Sequence, residues 1–253
     1  MRSIALPARA KLNLDLQVVC RRPDSMHELR SQMQAVELHD LLIAAPAEQT
    51  SLAIRGMQVG ESATNTVIRA HQVVETAAGR KLPTRYWLHK RIPPGSGLGG
   101  ASSDAAAAMR ALQHLHGLKL DLRKIAAEVG ADVPFFLTGG AALVEGTGER
   151  VSPVHDRPHW FAIAWPGIEL STALVYAAWD EVGGDGVNQL RRAAARVNPR
   201  IDEFARSLGD GWQMTGSGSA FFLTCADRGN AEAAVAKLDC WTAVTPSVGA
   251  WTE

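Results

Sequence analysis

Leu12, Leu14, Leu16 and Val18 recur at every second position, so the first 20 residues read as strand. RRPDS at 21–25 follows as a turn, because Pro-Asp presets a reversal. The stretch 29–42 fits a strand or a helix, and its pattern does not choose between them. TVIRAHQVVETAA (66–78) has helical spacing, with Gly79 as its stop. Tyr86 to Ile92 alternates again as strand until Pro93–Pro94 end it. SSDAAAAMRALQHL (102–115) is rich in helix formers and opens on Ser and Asp, which predicts a helix capped there. Further helices are predicted at 122–129, closed by Gly130, at 171–180, and at 187–208 with a break near Pro199. FFLTC (221–225) and WTAV (241–244) read as strands around a helix at 229–238. Strands and helices mixed in this order, with few clean βαβ repeats, predict α+β packing. Pro153 and Pro158 in a polar stretch place a seam near 150–158, giving domains at 1–155 and 156–253.

The composition narrows the function classes. At 253 residues, 46% hydrophobic and 21% charged, the chain is ordinary globular material. Twenty-six Lys+Arg offset 26 Asp+Glu, which removes the bulk charge that would attract nucleic acid or an anionic membrane. Clusters such as Arg191–Arg192 then read as solvated helix face. No apolar run approaches the ~20 residues of a spanning helix, and Arg2, Arg9 and Lys11 interrupt any secretory core at the start. Cys20, Cys225 and Cys240 are too few and scattered for a disulfide framework or a zinc site. His155 and His159 spell H-x-x-x-H, but Pro158 between them spoils a helical ligand face and no third ligand accompanies them. The expectation is a protein of the reducing cytoplasm without a protein-ligated metal.

The strongest chemical signal is PPGSGLGGASSDAAAAM, residues 93–109. Its glycines permit backbone shapes that side chains forbid and let amide N–H groups approach an anion. Ser102 and Ser103 then stand at a helix start, whose unpaired N–H groups and dipole favour phosphate. The P-loop motif with its lysine is absent, as is a protein-kinase catalytic loop. Gly95, Gly97 and Gly100 do spell G-x-G-x-x-G with Asp121 downstream, but the preceding strand holds His89, Lys90 and Arg91 and so fits a dinucleotide fold poorly. GADVPFFLTGG (130–140) places Asp132 in an apolar stretch, where Pro134 predicts an extended Val133. Asp132 is either a general base or a turn carboxylate bonded to backbone amides. MTGSGSAFF (214–222) is a second Gly/Ser loop, which alone would read as a hairpin or bulge.

PARAKLNLDL (7–16), RRPDSMHEL (21–29), PPGSGLGGASSDAAAA (93–108), GADVPFFLTGGAA (130–142) and MTGSGSAFF (214–222) occur in that order. Together they resemble the galactokinase–homoserine kinase–mevalonate kinase (GHMP) superfamily, in particular the branch whose acceptor is the 2-hydroxyl of a cytidylated methylerythritol. The resemblance implies an α+β two-domain fold, with a ribosomal protein S5 domain 2-like N-terminal domain and a ferredoxin-like C-terminal domain. It implies ATP and Mg²⁺ as cofactors and a small-molecule acceptor as partner, in a monomer or homodimer that engages neither nucleic acid nor membrane. Pro93, Pro94, Gly95, Ser96, Gly97, Leu98, Gly99, Gly100, Ala101, Ser102 and Ser103 match the loop that wraps the ATP phosphates. Asp132 matches the catalytic aspartate and Lys11 the lysine that works with it. Asn13, Met26, His27 and Tyr176 match substrate positions, with His27 reading the cytosine edge and Tyr176 stacking on the base. Gly216, Ser217 and Gly218 match the third superfamily motif.

This sequence departs from that pattern at several places. Ser25–Met26 replace the usual Gly-Tyr, and Met26 offers a thioether in place of a flat ring. Ala101 replaces a glycine, Asp15 an apolar residue and Gln189 a carboxylate, and the stretch from Tyr176 to Asn188 is abbreviated. Two other readings stay open: a kinase of the same type acting on a different small alcohol, and a non-catalytic nucleotide sensor. Lys11 also has the plain reading of an exposed strand-edge lysine, and His27 that of a surface turn residue.

Overall fold

Two compact units interleave along the chain. One takes the residues up to Ala10, Leu38–Pro94 and Gly99–Thr138; the other takes Lys11–Glu37, Gly95–Leu98 and everything from Gly139 onward. The computed structural model describes residues 3–57, 65–155 and 158–251, so Arg2 and, within the predicted seam near 150–158, residues 156–157 lie outside the described residues.

The first unit is a sheet covered by helices. Strand β1 (Ile4–Asn13) begins here, as does the later part of β3 (His27–Pro46), with β4 (Ser51–Gly56) and β5 (Thr84–Lys90) beside it. β5 runs antiparallel to β3, Leu42 facing Leu88, and parallel to β4, Leu52 facing Tyr86. Its alternation buries Thr84, Tyr86, Leu88 and Lys90 and exposes Arg85, Trp87 and His89. Helix α1 (Thr66–Ala78) begins on Asn65, whose Oδ1 accepts the Val67 N–H at 2.9 Å. It ends on Gly79 at φ +64°, as the sequence predicts. Helix α2 (Gly100–Leu115) buries Ser103 through Met109 without a break, and its alanines let α1 and the short helix α4 (Val133–Thr138) pack close. Helix α3 (Arg123–Val129) completes the layer and ends at Gly130.

The second unit holds the earlier part of β3, with β2 (Gln17–Arg21), β6 (Ala141–Gly146) and β7 (Arg150–Pro153). β6 pairs antiparallel to β3, Met33 facing Ala142, and β7 follows β6 as a hairpin. A second antiparallel sheet runs β11-β8-β10-β9, from β8 (Trp160–Trp165), β9 (Gln213–Met214), β10 (Phe221–Cys225) and β11 (Trp241–Pro246). Helices α5 (Thr172–Val182), α6 (Arg191–Val197), α7 (Arg200–Leu208) and α8 (Arg228–Val235) belong with it. Ile168, Leu170, Val175, Leu190, Ile201, Met214 and Phe221 form the main apolar core of this unit.

One open reading is decided and two local expectations are corrected. Stretch 29–42 is strand throughout, because both of its partners are strands. The α2 helix begins two residues before Ser102, with Gly99 at φ +75° as its cap, so Ser102 and Ser103 lie inside the first turn and cap nothing. Val133 is helical, not extended: Pro134 sits in the first turn of α4, where its missing N–H costs no helical bond.

Candidate active site

In the second unit the site is assembled around Lys11. This residue ends the apolar alternation of β1 and is only 3% exposed, so it is no solvent-edge lysine. Its Nζ donates to Asn13 Oδ1 at 2.5 Å and to the Gly97 carbonyl at 2.6 Å. Asn13 is held in turn: Nδ2 donates to Ser31 Oγ at 2.7 Å, and its backbone N–H donates to Thr215 Oγ1 at 3.0 Å. Ser31 Oγ donates to the Asp15 carbonyl at 2.6 Å. A buried ammonium is costly unless its donors are matched, and Asn13 Oδ1 and the Gly97 carbonyl meet two of the three.

The two Gly/Ser loops meet at this lysine. Gly97 sits at φ +79°, and a Cβ there would drive into the Thr215 carbonyl. Gly216 sits at φ +56°, and a Cβ there would lie 2.9 Å from Lys11 Nζ. Backbone therefore packs on backbone, which is the physical requirement behind the glycines at these two positions. The carbonyls of 95–98 are fixed from several sides: Gly95 accepts Leu170 N–H at 3.1 Å, Ser96 accepts Ala220 N–H at 2.9 Å and Leu98 accepts Lys11 N–H at 3.0 Å. The second loop is held by Asn188, whose Nδ2 donates to the carbonyls of Met214 at 2.7 Å and Gly216 at 3.0 Å. Ser217 Oγ lies 3.0 Å from Thr172 Oγ1, and Gly218 at φ +83° packs against Met214.

A separate cluster in the same unit gathers His27 and Tyr176. Their rings stack with centroids 4.8 Å apart and 28° between planes, and Trp179 meets His27 edge-on at 5.7 Å. His27 Nε2 lies 2.7 Å from Asp180 Oδ1, and Arg21 reaches the other oxygen of Asp180 at 3.4 Å. His27 is thus a built element of this face, not a loose turn residue. Met26 stands beside it, half exposed. Ser25 has φ +66°, a conformation that glycine adopts without strain and that costs serine on the order of 1 kcal/mol.

The first unit holds the other predicted residues. Pro93 and Pro94 follow β5, Gly99 caps α2, and Gly100 to Ser103 form the first turn of that helix. Asp132 stands half buried in the turn that joins α3 to α4, its carbonyl accepting the Phe136 N–H at 3.4 Å. A Cβ at Gly130 would lie 3.9 Å from Ser102 Oγ, so the turn that carries Asp132 runs past the start of α2. Ser31, Trp179 and Asp180 join the site without having been singled out by the sequence, and Thr215 lies within the quoted motif 214–222. Asn188 and Gln189 stood out there only through a motif comparison; Gln189 Oε1 in fact accepts the Val18 N–H at 2.9 Å. None of these has a sequence signal of its own, because each acts through a partner distant in the chain.

Comparison with known proteins fits this arrangement. The family model for the GHMP kinases N terminal domain matches residues 65–140, and that for the GHMP kinases C terminal domain matches 179–241. The chain belongs to the GHMP kinases and is an ATP-dependent small-molecule phosphotransferase. Within that family it is similar to proteins named 4-diphosphocytidyl-2-C-methyl-D-erythritol kinase. One from Thermus thermophilus is 37% identical, over 92% of each chain. That from Shewanella loihica is 35% identical, over 94% of this chain and 90% of the relative. A crystal structure of 4-(cytidine 5'-diphospho)-2C-methyl-D-erythritol kinase superposes with a TM-score of 0.82 at 35% identity, covering 97% of this chain and all of that one. A homoserine kinase from Cytophaga hutchinsonii shares the fold, with a TM-score of 0.65 at 20% identity, over 99% of this chain and 96% of that one.

Proposed function

We propose that the chain transfers the γ-phosphoryl group of ATP to the 2-hydroxyl of 4-diphosphocytidyl-2-C-methyl-D-erythritol, a step of non-mevalonate isoprenoid precursor biosynthesis. The observation that carries this reading is the buried Lys11, held by Asn13 and the Gly97 carbonyl where the two glycine loops meet. The names of its relatives point to the acceptor.

Phosphoryl transfer asks a protein for positioning and charge neutralisation more than for covalent chemistry. Asp132 takes the proton of the accepting hydroxyl as its oxygen attacks the γ-phosphorus and ADP leaves; such a positioned base contributes about 10²- to 10⁴-fold. Lys11 supplies fixed positive charge where the phosphoryl group passes, and Asn13 keeps its ammonium in place. Residues 93–103 wrap the phosphates with backbone amides and the α2 helix start. Gly216, Ser217 and Gly218 close on the same group. His27 and Tyr176 take the cytosine, with Met26 on its other face.

Mg²⁺ prefers hard oxygens, keeps several waters and takes only one or two protein ligands beside the phosphates. No three His, Cys, Asp or Glu residues cluster into a metal cage among the described residues. The Ser102 and Ser103 hydroxyls are oxygens of the kind such a nucleotide-borne ion takes, and the ion would neutralise phosphate charge. Among the described residues no helix is long and apolar enough to cross a membrane. Cytoplasmic operation as a monomer or homodimer completes the proposal. Phosphorus NMR of the product formed from Mg·ATP and the cytidylated methylerythritol tests it. A new phosphomonoester on the C2 oxygen is expected, and a phosphate on another oxygen or no product would overturn it.

A further inference from the structure

In the second unit, α5 and the β2–β3 hairpin share a polar cluster whose carboxylate, Asp180, has no part in the reaction as described. Tyr176, Trp179 and Asp180 lie about one helical turn apart on α5, and all three meet His27, the first residue of β3. The stack on Tyr176 and the edge contact with Trp179 fix the plane of the imidazole. The 2.7 Å contact between Nε2 and Asp180 Oδ1 fixes its rotation within that plane. The histidine side chain is only 9% exposed. Asp180 is held from its other oxygen as well: Arg21, opposite His27 in the β2–β3 register, reaches Oδ2 at 3.4 Å.

An ion pair as exposed as that of Arg21 with Asp180 adds little to stability, so the arrangement is better explained by what it fixes. A carboxylate oxygen accepts and does not donate, so the ring nitrogen facing it carries the hydrogen. In the neutral imidazole the other nitrogen, Nδ1, is then an acceptor. Among the described residues no hydrogen bond engages Nδ1.

Only 28° separates the ring planes of His27 and Tyr176, so a base laid along the tyrosine ring beside the imidazole meets the imidazole edge to edge. With Nε2 taken by Asp180, the polar atom left on that edge is Nδ1. An acceptor there takes an N–H of the 4-amino group of cytosine. Uracil presents a carbonyl oxygen at the same position, and two acceptors facing each other repel. We propose that Asp180 is a positioning residue that sets base specificity: by keeping the hydrogen on Nε2 it makes His27 Nδ1 an acceptor for the cytosine amine and a barrier to uracil. Asp180 acts through His27 and need not touch the base. This rests on the reading of His27 and Tyr176 as the cytosine site.

Histidine spectra and acceptor kinetics test this together. The protein is labelled with ¹⁵N-histidine, and the His27 signals are identified by their loss in His27→Gln. Two-bond proton–nitrogen spectra at about pH 8.5, where an ordinary imidazole is neutral, should show the His27 ring hydrogen on Nε2. In Asp180→Asn the amide oxygen should stay turned to the Arg21 guanidinium, which only donates, and the amide nitrogen should face His27. The ring hydrogen should then move to Nδ1. The unaltered protein should favour the cytidylated methylerythritol over its uridylated analogue by at least about 10-fold in kcat/KM. Asp180→Asn should lower that ratio at least about 10-fold through the acceptor KM, with kcat and KM for ATP within about two-fold of the parent. A hydrogen on Nδ1 in the unaltered protein, or an unmoved hydrogen or unchanged ratio in Asp180→Asn, would overturn the proposal while leaving the kinase reading intact. No turnover of the cytidylated acceptor by the unaltered protein would overturn both.

Discussion

Asp132 and Lys11 are supported differently, each within its own unit. Lys11 is secured by visible bonds, to Asn13 at 2.5 Å and Gly97 at 2.6 Å, while Asp132 owes its place to the turn between α3 and α4. Asp132→Asn should lower kcat by at least about 100-fold with ATP affinity and thermal midpoint nearly unchanged, the signature of a lost base. Steady-state kinetics beside a thermal melt would check this, and a variant within about three-fold of the parent would exclude a base role. Gly97→Ala should act otherwise. At φ +79° a Cβ is strained and faces the Thr215 carbonyl, so a drop in melting temperature of roughly 4 °C or more and a raised KM for ATP are expected. Tyr176→Leu removes the ring stacked on His27 at 4.8 Å. It should raise KM for the cytidylated acceptor about 10-fold and leave KM for ATP alone, because base stacking is worth about 1–3 kcal/mol. These motif residues were legible in the sequence because each lies in a short ordered segment. Asp180 and Ser31 lie outside those segments and were not.

Elements were legible where one periodicity dominates. The alternation of β5 and the capped helix α1 follow the pattern closely, with Gly79 as its stop at φ +64°. Strand β8 carries a short apolar run buried on both faces, WFAIAW, which shows no alternation to read. Residues 133–134 mislead because proline tolerates a first helical turn as well as an extended neighbour. The interior of α1 also predicts how stability responds to acid. His71 is buried, with ring nitrogens 3.0 Å from the Tyr86 hydroxyl and 3.1 Å from Thr50 Oγ1. Burial lowers its pKa from the ordinary 6.5, outweighing the pull of Glu75. The unfolded chain then binds a proton more readily than the fold does. Stability should fall as pH drops below 6.5, by at most about 1.4 kcal/mol per pH unit from this residue. Urea melts at about pH 7.5, 6 and 5 should show that slope and its loss in His71→Gln; an equal slope in both would assign the acid response elsewhere.

For the whole molecule, composition and mixed element order announced α+β packing, and five ordered motifs announced the family. The compact units were not legible, because the chain changes unit inside β1, inside β3 and on either side of residues 95–98. A linear reading looks for one linker, whereas here two of the transitions fall inside continuous strands. The family places the chain among small-molecule kinases. On the proposed reading, the His27, Tyr176 and Met26 group takes part in acceptor choice. The most direct test is ADP release from Mg·ATP with four acceptors in parallel: the cytidylated methylerythritol, mevalonate, homoserine and galactose. The assay is run on the parent and on Asp132→Asn. Turnover on the cytidylated acceptor alone, reduced at least about 100-fold in the variant, is the predicted result. Turnover on another alcohol instead, or an undiminished rate in Asp132→Asn, would contradict it.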